Sequence, residues 1–311
     1  MTDNETILEL KGIQKRFGDI EALKGIDLSI RKGELFGFLG PNGAGKSTLM
    51  KIFSGFLKAD EGQVFIEGRE VVANDNEARF RCGLVPQEIA LYDTLSSLEN
   101  LKVFGELYKL PGKVIKERSE LLLKSVGLWD RRSDRVKDFS GGMKRRLNII
   151  VSLLHEPDIL LCDEPTVGVD PQSRNAIFEF LEEQNKKGLT IIYTTHYMEE
   201  AERLCQRIAI IDHGSLMANG SLDELLSSTE NKREVLLRKG PGLESFLKRA
   251  GEFGELLEEE QLYRLVPKPD TLFSELYREL EETGVEYERL QVRLPSLESL
   301  FLQLTGHRLR D

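Results

Sequence analysis

The sequence predicts an α/β protein with a small α+β appendage, and three observations carry that reading. From residue 34 to residue 211 short apolar strands alternate with amphipathic helices, the pattern of a parallel sheet covered on its faces by helices. The first thirty residues alternate apolar and polar positions instead, as half-buried strands do. After about Ser228 the order becomes strand, helix, two strands, helix, strand, helix, which reads as a split βαββαβ unit with a final helix.

Each element has a local cause. ILELKGIQKRF at 7–17 has period-two character, and KGIDLSI at 24–30 sets Ile26, Leu28 and Ile30 against Asp27 and Ser29. ELFGFLG at 34–40 is almost wholly apolar and ends in glycine, which suits a strand buried on both faces. PNGAGKSTLMKIFSGF then turns into a helix, and the acidic turn KADEGQ leads to the strand VFIEG. Residues 98–126 are helical in pattern, interrupted at Leu110-Pro111-Gly112. A helix is expected over 143–154, a short apolar strand over 158–162, and an amphipathic helix over 172–185 closed by Lys186-Lys187-Gly188. A β-branched strand follows at 189–194, a helix at 198–205 and a strand at 207–211. In the appendage the expectation is strand 234–238, helix 243–250, strands 253–258 and 261–266, helix 271–283, strand 286–294 and a helix from Ser296. STENK at 228–232 is the linker, giving domains 1–228 and 229–311.

Composition narrows the function. The 311 residues carry 43 Lys+Arg against 53 Asp+Glu, a net charge of −10, with 31% charged and 40% hydrophobic residues. That is a soluble globular composition, long enough for two modest domains, and too acidic for a chain that grips nucleic acid through a basic surface. The short basic clusters Arg131-Arg132 and Lys144-Arg145-Arg146 read as solvated or seam-facing surface. Cys82, Cys162 and Cys205 lie far apart with no CxxC pair, which disfavours disulfides and zinc and fits a reducing cytosol. MTDNETILEL lacks the basic-then-apolar layout of a signal peptide, and no apolar run approaches the about 18 residues that span a bilayer. Any work at a membrane requires spans from another chain.

Gly40-Pro41-Asn42-Gly43-Ala44-Gly45-Lys46-Ser47 matches G-x-x-x-x-G-K-[ST], between an apolar strand and a helix. A polyphosphate needs several backbone N–H donors around it, hence a loop free of obstructing side chains, and the following helix N-terminus adds partial positive charge. Lys46 is suited to the β- and γ-phosphates, Ser47 to Mg²⁺ and Thr48 to a phosphate oxygen. Ile159-Leu160-Leu161-Cys162 buries a strand and delivers Asp163 at its end as a Mg²⁺ partner. Glu164, one residue on, is suited to accept a proton from attacking water.

Beside these motifs, Phe139-Ser140-Gly141-Gly142-Met143 closely resembles the LSGGQ signature of ATP-binding cassette (ABC) proteins. The ordered set of P-loop, Gln87 after Val85-Pro86, signature, Asp163-Glu164, Val169-Asp170 and His196 makes residues 7–221 similar to the nucleotide-binding subunit of an ABC transporter. The resemblance implies a mixed sheet with a RecA-like core, an antiparallel β subdomain and a helical subdomain. It implies an ATPase using ATP and Mg²⁺, with Phe17 stacking on adenine in place of the usual tyrosine. Gln87 would sense Mg²⁺ and the attacking water, and link that site to the membrane subunit. His196 would hydrogen-bond the γ-phosphate. Ser140, Gly141 and Gly142 would bind the γ-phosphate held by an opposite subunit, with Asp170 at the same seam. The partners implied are a second copy of the chain and a separate permease, docked by a short helix at residues 91–100, with the ATPase peripheral on the cytoplasmic face of the membrane.

The signature departs from the family at Phe139 and Met143, and Val167-Gly168-Val169-Asp170 replaces the commoner Ser-Ala-Leu-Asp. Lys46, Asp163, Glu164 and His196 are all present, so hydrolysis is expected. Segments 140–147, 196–202 and 295–306 are similar to ABC-2 type export ATPases, the daunorubicin-resistance group among them. The alternative is a non-transport ABC ATPase acting on nucleic acid or ribosomes. It is disfavoured by a single P-loop, the absence of sustained heptads and the net charge.

Overall fold

The strand patterns sort into three sheets in the computed structural model, which describes residues 5–72, 74–227, 233–240, 243–268 and 270–306. The first sheet pairs β1 (Thr6–Phe17) antiparallel with β2 (Ile20–Arg31) and with β4 (Glu61–Ile66), and β4 with the short β5 (Arg69–Glu70). Its register opposes Leu8 to Ile30, Leu10 to Leu28 and Ile13 to Ile26, so the apolar alternation becomes one buried face.

The second sheet holds the site. It contains β3 (Leu35–Leu39), β6 (Cys82–Val85), β7 (Ile159–Asp163), β8 (Thr190–Thr195), β9 (Arg207–Asp212) and β10 (Ser215–Gly220), in the order β10-β9-β3-β8-β7-β6. All neighbours are parallel except β10 on β9. Every residue of β3, β7 and β8 is buried, as expected of strands covered on both faces. Because β3, β8, β7 and β6 are adjacent and parallel, their C-terminal ends share one edge. Those ends lead respectively into the P-loop, His196, Asp163-Glu164 and Gln87. The sequence does not single out β6, since its four residues Cys82-Gly83-Leu84-Val85 show no alternation.

The helices of this unit are α1 (Lys46–Phe53), α2 (Asn76–Arg81), α3 (Ser97–Leu107), α4 (Gly112–Ser125), α5 (Gly141–Val151), α6 (Pro171–Lys186) and α7 (Met198–Leu204), and the short α8 (Leu222–Leu226) follows at the unit boundary. A capping box between Ser96 and Glu99 starts α3, and Pro111 stands at the N-terminal boundary of α4, so the break at Leu110-Pro111-Gly112 separates two helices. α3, α4 and α5 pack on one another as a helical subdomain.

The third sheet belongs to β11 (Glu234–Arg238), β12 (Gly254–Glu258), β13 (Leu262–Pro267) and β14 (Leu290–Arg293), in the antiparallel order β12-β13-β11-β14. With α9 (Leu243–Phe253) and α10 (Phe273–Glu282) the chain order is βαββαβ, and α11 (Leu297–Thr305) follows behind its own capping box at Ser296. Val235, Leu237, Phe246, Leu265, Leu276 and Leu280 form its core. The strand expected over 286–294 is shorter, because a 3-10 turn at Tyr287–Arg289 precedes it.

Contacts divide the chain into two compact units that part between Leu222 and Asp223. The expected linker, 228–232, lies outside the described residues. No helix among the described residues is long and apolar enough to cross a membrane. The three cysteines are free and buried, and burial pushes all their thiols up, Cys82 to about 12.

Candidate active site

The glycine loop between β3 and α1 is built around close approaches. A Cβ on Gly40 would stand 2.2 Å from the Ile211 carbonyl oxygen, and Gly45 takes φ 106° with the Ala22 oxygen 2.7 Å from where its Cβ would be. Only glycine fits either position. The loop Gly40, Pro41, Asn42, Gly43, Ala44, Gly45 therefore ends with Lys46, Ser47 and Thr48 in the first turn of α1. Lys46 folds back into its own loop. Its Nζ donates to the carbonyls of Gly40 at 2.7 Å and Pro41 at 3.0 Å.

Lys46 also meets Glu164. Nζ lies 3.0 Å from Glu164 Oε1, and both side chains are buried. The other carboxylate oxygen, Oε2, stands 3.1 Å from His196 Nδ1 and accepts from Gln87 Nε2 at 3.3 Å. So one carboxylate collects the P-loop lysine, the glutamine after β6 and the histidine after β8. Glu164 leaves β7 with φ 45°, uncommon for a residue with a Cβ. Thr194 fixes that exit: its Oγ1 accepts from the Glu164 amide at 3.0 Å and donates to Asp163 Oδ1 at 2.8 Å. Sequence reasoning missed Thr194, which looked like one more β-branched strand residue.

A buried ion pair of this kind contributes little net stability, since desolvation offsets its attraction. Its chemical meaning is different. The position beside Lys46 is already furnished for an oxyanion, with donors from three strand ends.

Ser140, Gly141, Gly142 and Asp170 form a second group. Ser140 caps α5, its Oγ accepting from the Met143 amide at 3.3 Å. Asp170 caps α6, accepting from the Ser173 amide at 2.9 Å, and that hydrogen bond holds its carboxyl below the usual range. Gly142 ties the two helices: a Cβ there would stand 2.1 Å from Ser173 Oγ. Ser140, Gly141 and Asp170 are exposed. Phe17 ends β1 with its ring half-exposed and Lys15 Nζ 5.5 Å from its centre, so a face is available for a base.

One expectation is corrected. Arg145 is not solvated or seam-facing; it is 5% exposed. Its guanidinium donates to the Pro86 carbonyl at 3.1 Å and the Gln87 carbonyl at 2.8 Å, holding the segment that carries Gln87. Burial lowers its pKa from the ordinary arginine value. Arg146 is likewise turned inward, onto the Val126 carbonyl at 2.7 Å, while Lys144 pairs with Asp93 at the surface. A run of three cations conceals this, because the helix turns each one to a different face.

The donor set suits Mg²⁺. α1, carrying Ser47, packs on β7, which ends at Asp163. One hydroxyl and one carboxylate, with Gln87 nearby, leave room for the waters and phosphate oxygens that Mg²⁺ keeps. No cluster of three or more His, Cys, Asp or Glu occurs among the described residues, so an all-protein metal cage is not what these residues offer.

The family model described as "ABC transporter" matches residues 23–167. A linearmycin resistance ATP-binding protein of Bacillus subtilis is 42% identical over 312 residues, covering 98% of this chain and 100% of that one. A daunorubicin resistance ATP-binding protein of Streptomyces coeruleorubidus is 37% identical over 305 residues, covering 97% and 96%. Among solved structures, an ATP-binding subunit of an ABC transporter superposes with a TM-score of 0.65 at 31% identity, covering 71% of this chain and 92% of that one.

Proposed function

The chain belongs to the ABC transporter family as an ATP-binding, ATP-hydrolysing subunit, and on that premise we propose that it powers export through a separate ABC-2 type permease. It works as a head-to-tail pair of identical chains on the cytoplasmic face of the membrane. The observation that carries the catalytic part is the convergence of Lys46, Gln87 and His196 on Glu164.

The γ-phosphate of ATP replaces the Glu164 carboxylate on Lys46. That exchange swaps one anion for another beside the lysine and frees Glu164 to accept a proton from water. His196 and Lys46 hold the phosphate oxygens, and Gln87 orients the water. Mg²⁺, held by Ser47, Asp163 and Gln87, supplies positive charge to the phosphates when bound. The N–H groups at the start of α5, from the exposed Ser140 and Gly141 and from Gly142 behind them, serve the phosphate on the other chain, and Asp170 lies at the same seam. Cleavage separates the γ-phosphate from the nucleotide, and the seam loosens. Arg145 fixes the segment carrying Gln87 to α5, so movement there reaches residues 91–100, where the permease docks.

Export rests on the relatives named for resistance to linearmycin and daunorubicin, since resistance is served by removing a compound from the cell. The cargo touches the permease rather than this chain. The test is purification of the full-length chain from native membranes. A polytopic membrane protein should accompany it and raise its ATP turnover. Recovery with RNA or ribosomal proteins instead would favour the nucleic-acid alternative, against which the net charge of −10 stands.

A further inference from the structure

The start of α7 carries the acidic run Glu199-Glu200-Ala201-Glu202, and one of its carboxylates has no place in the chemistry above. Glu200 is 2% exposed. It accepts three hydroxyls: Thr166 Oγ1 at 2.7 Å on Oε1, with Tyr193 OH at 3.0 Å and Thr195 Oγ1 at 2.7 Å on Oε2. Arg174 Nε stands 3.6 Å from Oε1, and its guanidinium lies over the Tyr197 ring.

The origins of these donors matter more than their number. Thr166 lies two residues after Glu164. Thr195 immediately precedes His196, and its Oγ1 also accepts from the Tyr197 amide at 2.9 Å. Arg174 is in the first turn of α6, whose N-cap is Asp170. Glu200 therefore touches the segments bearing the proposed base, the γ-phosphate ligand and the seam residue, while itself standing apart from all three. A buried carboxylate is strongly unfavourable unless it is well satisfied, and an apolar residue would fill the space more stably.

We propose that Glu200 is a positioning residue for ATP hydrolysis, holding the Glu164 turn and the His196 strand end in one geometry and coupling both to the first turn of α6. The inference rests on the roles given above to Glu164 and His196. A fully donated-to carboxylate has few alternative arrangements, so the spacing of Glu164 and His196 is held firm. Loss of that constraint misplaces the two groups relative to each other without removing either, and the effect falls on the chemical step.

The test uses the full-length chain, with ATP turnover measured well below the melting temperature of every variant. Glu200→Gln keeps the shape but turns one acceptor into a donor facing hydroxyls. Its kcat should fall about tenfold or more, with KM for ATP within about twofold, because a small misplacement acts on the transition state rather than on binding. A merely structural role would lower the melting temperature and leave kcat of the folded protein unchanged; that result overturns the proposal. If Glu200→Gln does not fold, Thr195 replaces it. Thr195→Val should lower kcat and Thr195→Ser restore it, and wild-type kcat in Thr195→Val overturns the proposal. Glu164→Gln run alongside separates the two failures. Inactive Glu164→Gln with wild-type Glu200→Gln overturns this inference alone, whereas wild-type turnover in Glu164→Gln overturns the reading beneath it as well.

Discussion

The Glu164 centre and the signature group are opposite in kind. Around Glu164 the polar groups answer one another: the buried Lys46, the largely covered His196 and the exposed Gln87 all meet one buried carboxylate. Around Ser140 and Asp170 the helix starts are exposed, and the side chains do no more than cap their own helices. The first region is the proposed catalytic half, with its polar partners already in contact. The second presents donors outward, which is how a surface meant for another chain's phosphate should look. A single chain thus holds one of each, and in the proposed head-to-tail pair the two halves would complement each other between copies.

The largest effect should come from Glu164→Gln. The amide retains an acceptor for Lys46, so the loop keeps its lysine contact, but the proton acceptor is gone. Turnover should fall about a hundredfold or more, the scale of lost general-base catalysis. ATP should still bind, and with ATP the variant should accumulate as a dimer in size-exclusion chromatography. Near-wild-type turnover would remove Glu164 as the base and leave its three partners unexplained.

Next in size is Gly141→Asp, which tests the outward-facing half. A Cβ at Gly141 meets nothing within 4 Å, so the chain itself tolerates a side chain there. A carboxylate at the start of α5 should even steady the helix, by about 0.3–1 kcal/mol. Opposite a γ-phosphate the same charge is repulsive. The expected result is an unchanged or raised melting temperature, unchanged nucleotide binding to the monomer, and turnover reduced about tenfold to a hundredfold. Wild-type turnover would mean that nothing anionic approaches Gly141. The neighbouring Gly142 would not serve, because its Cβ would strike Ser173 and confuse packing with seam chemistry.

Legibility in the sequence follows the same division. The P-loop, Asp163-Glu164 and the signature are contiguous, and their residue types are dictated by phosphate and metal chemistry at short spacing, so they can be read before any fold is known. The strands around them are legible for a related reason. A fully buried strand such as ILLCD is apolar up to the residue at its functional end, and Ile26, Leu28 and Ile30 betray a one-sided one. What escapes is polar and buried. Thr194 passes for a strand former, Glu200 for a solvated acid at the start of α7, and Arg145 for part of a basic surface. Each is satisfied by groups distant in sequence, and only the fold brings those groups together.

Arg145 gives the smallest and most local of the tests. It sits on the inward stripe of α5 with Gly142 and Asn148, and it spans from the signature helix to the carbonyls of Pro86 and Gln87. Asn148 supports the same segment by accepting from the Ala90 amide at 3.2 Å. Arg145→Met keeps most of the apolar stem and deletes the donors. Two carbonyls then lose partners, at about 1–3 kcal/mol for each one left buried and unpaired. Part of that loss is recovered because a poorly hydrated cation no longer has to be buried, so the net fall in stability should lie at the lower end. The Gln87 segment, released from α5, should become more accessible to protease, with only a few-fold loss of basal turnover because Gln87 retains its own amide for Glu164. Stimulation by the permease should fall further than basal turnover, since the deleted contacts are among those that join the Gln87 segment to the signature helix. Equal loss of both activities would place Arg145 in the folding of the Glu164 centre, and the two halves would then be less independent than their burial suggests.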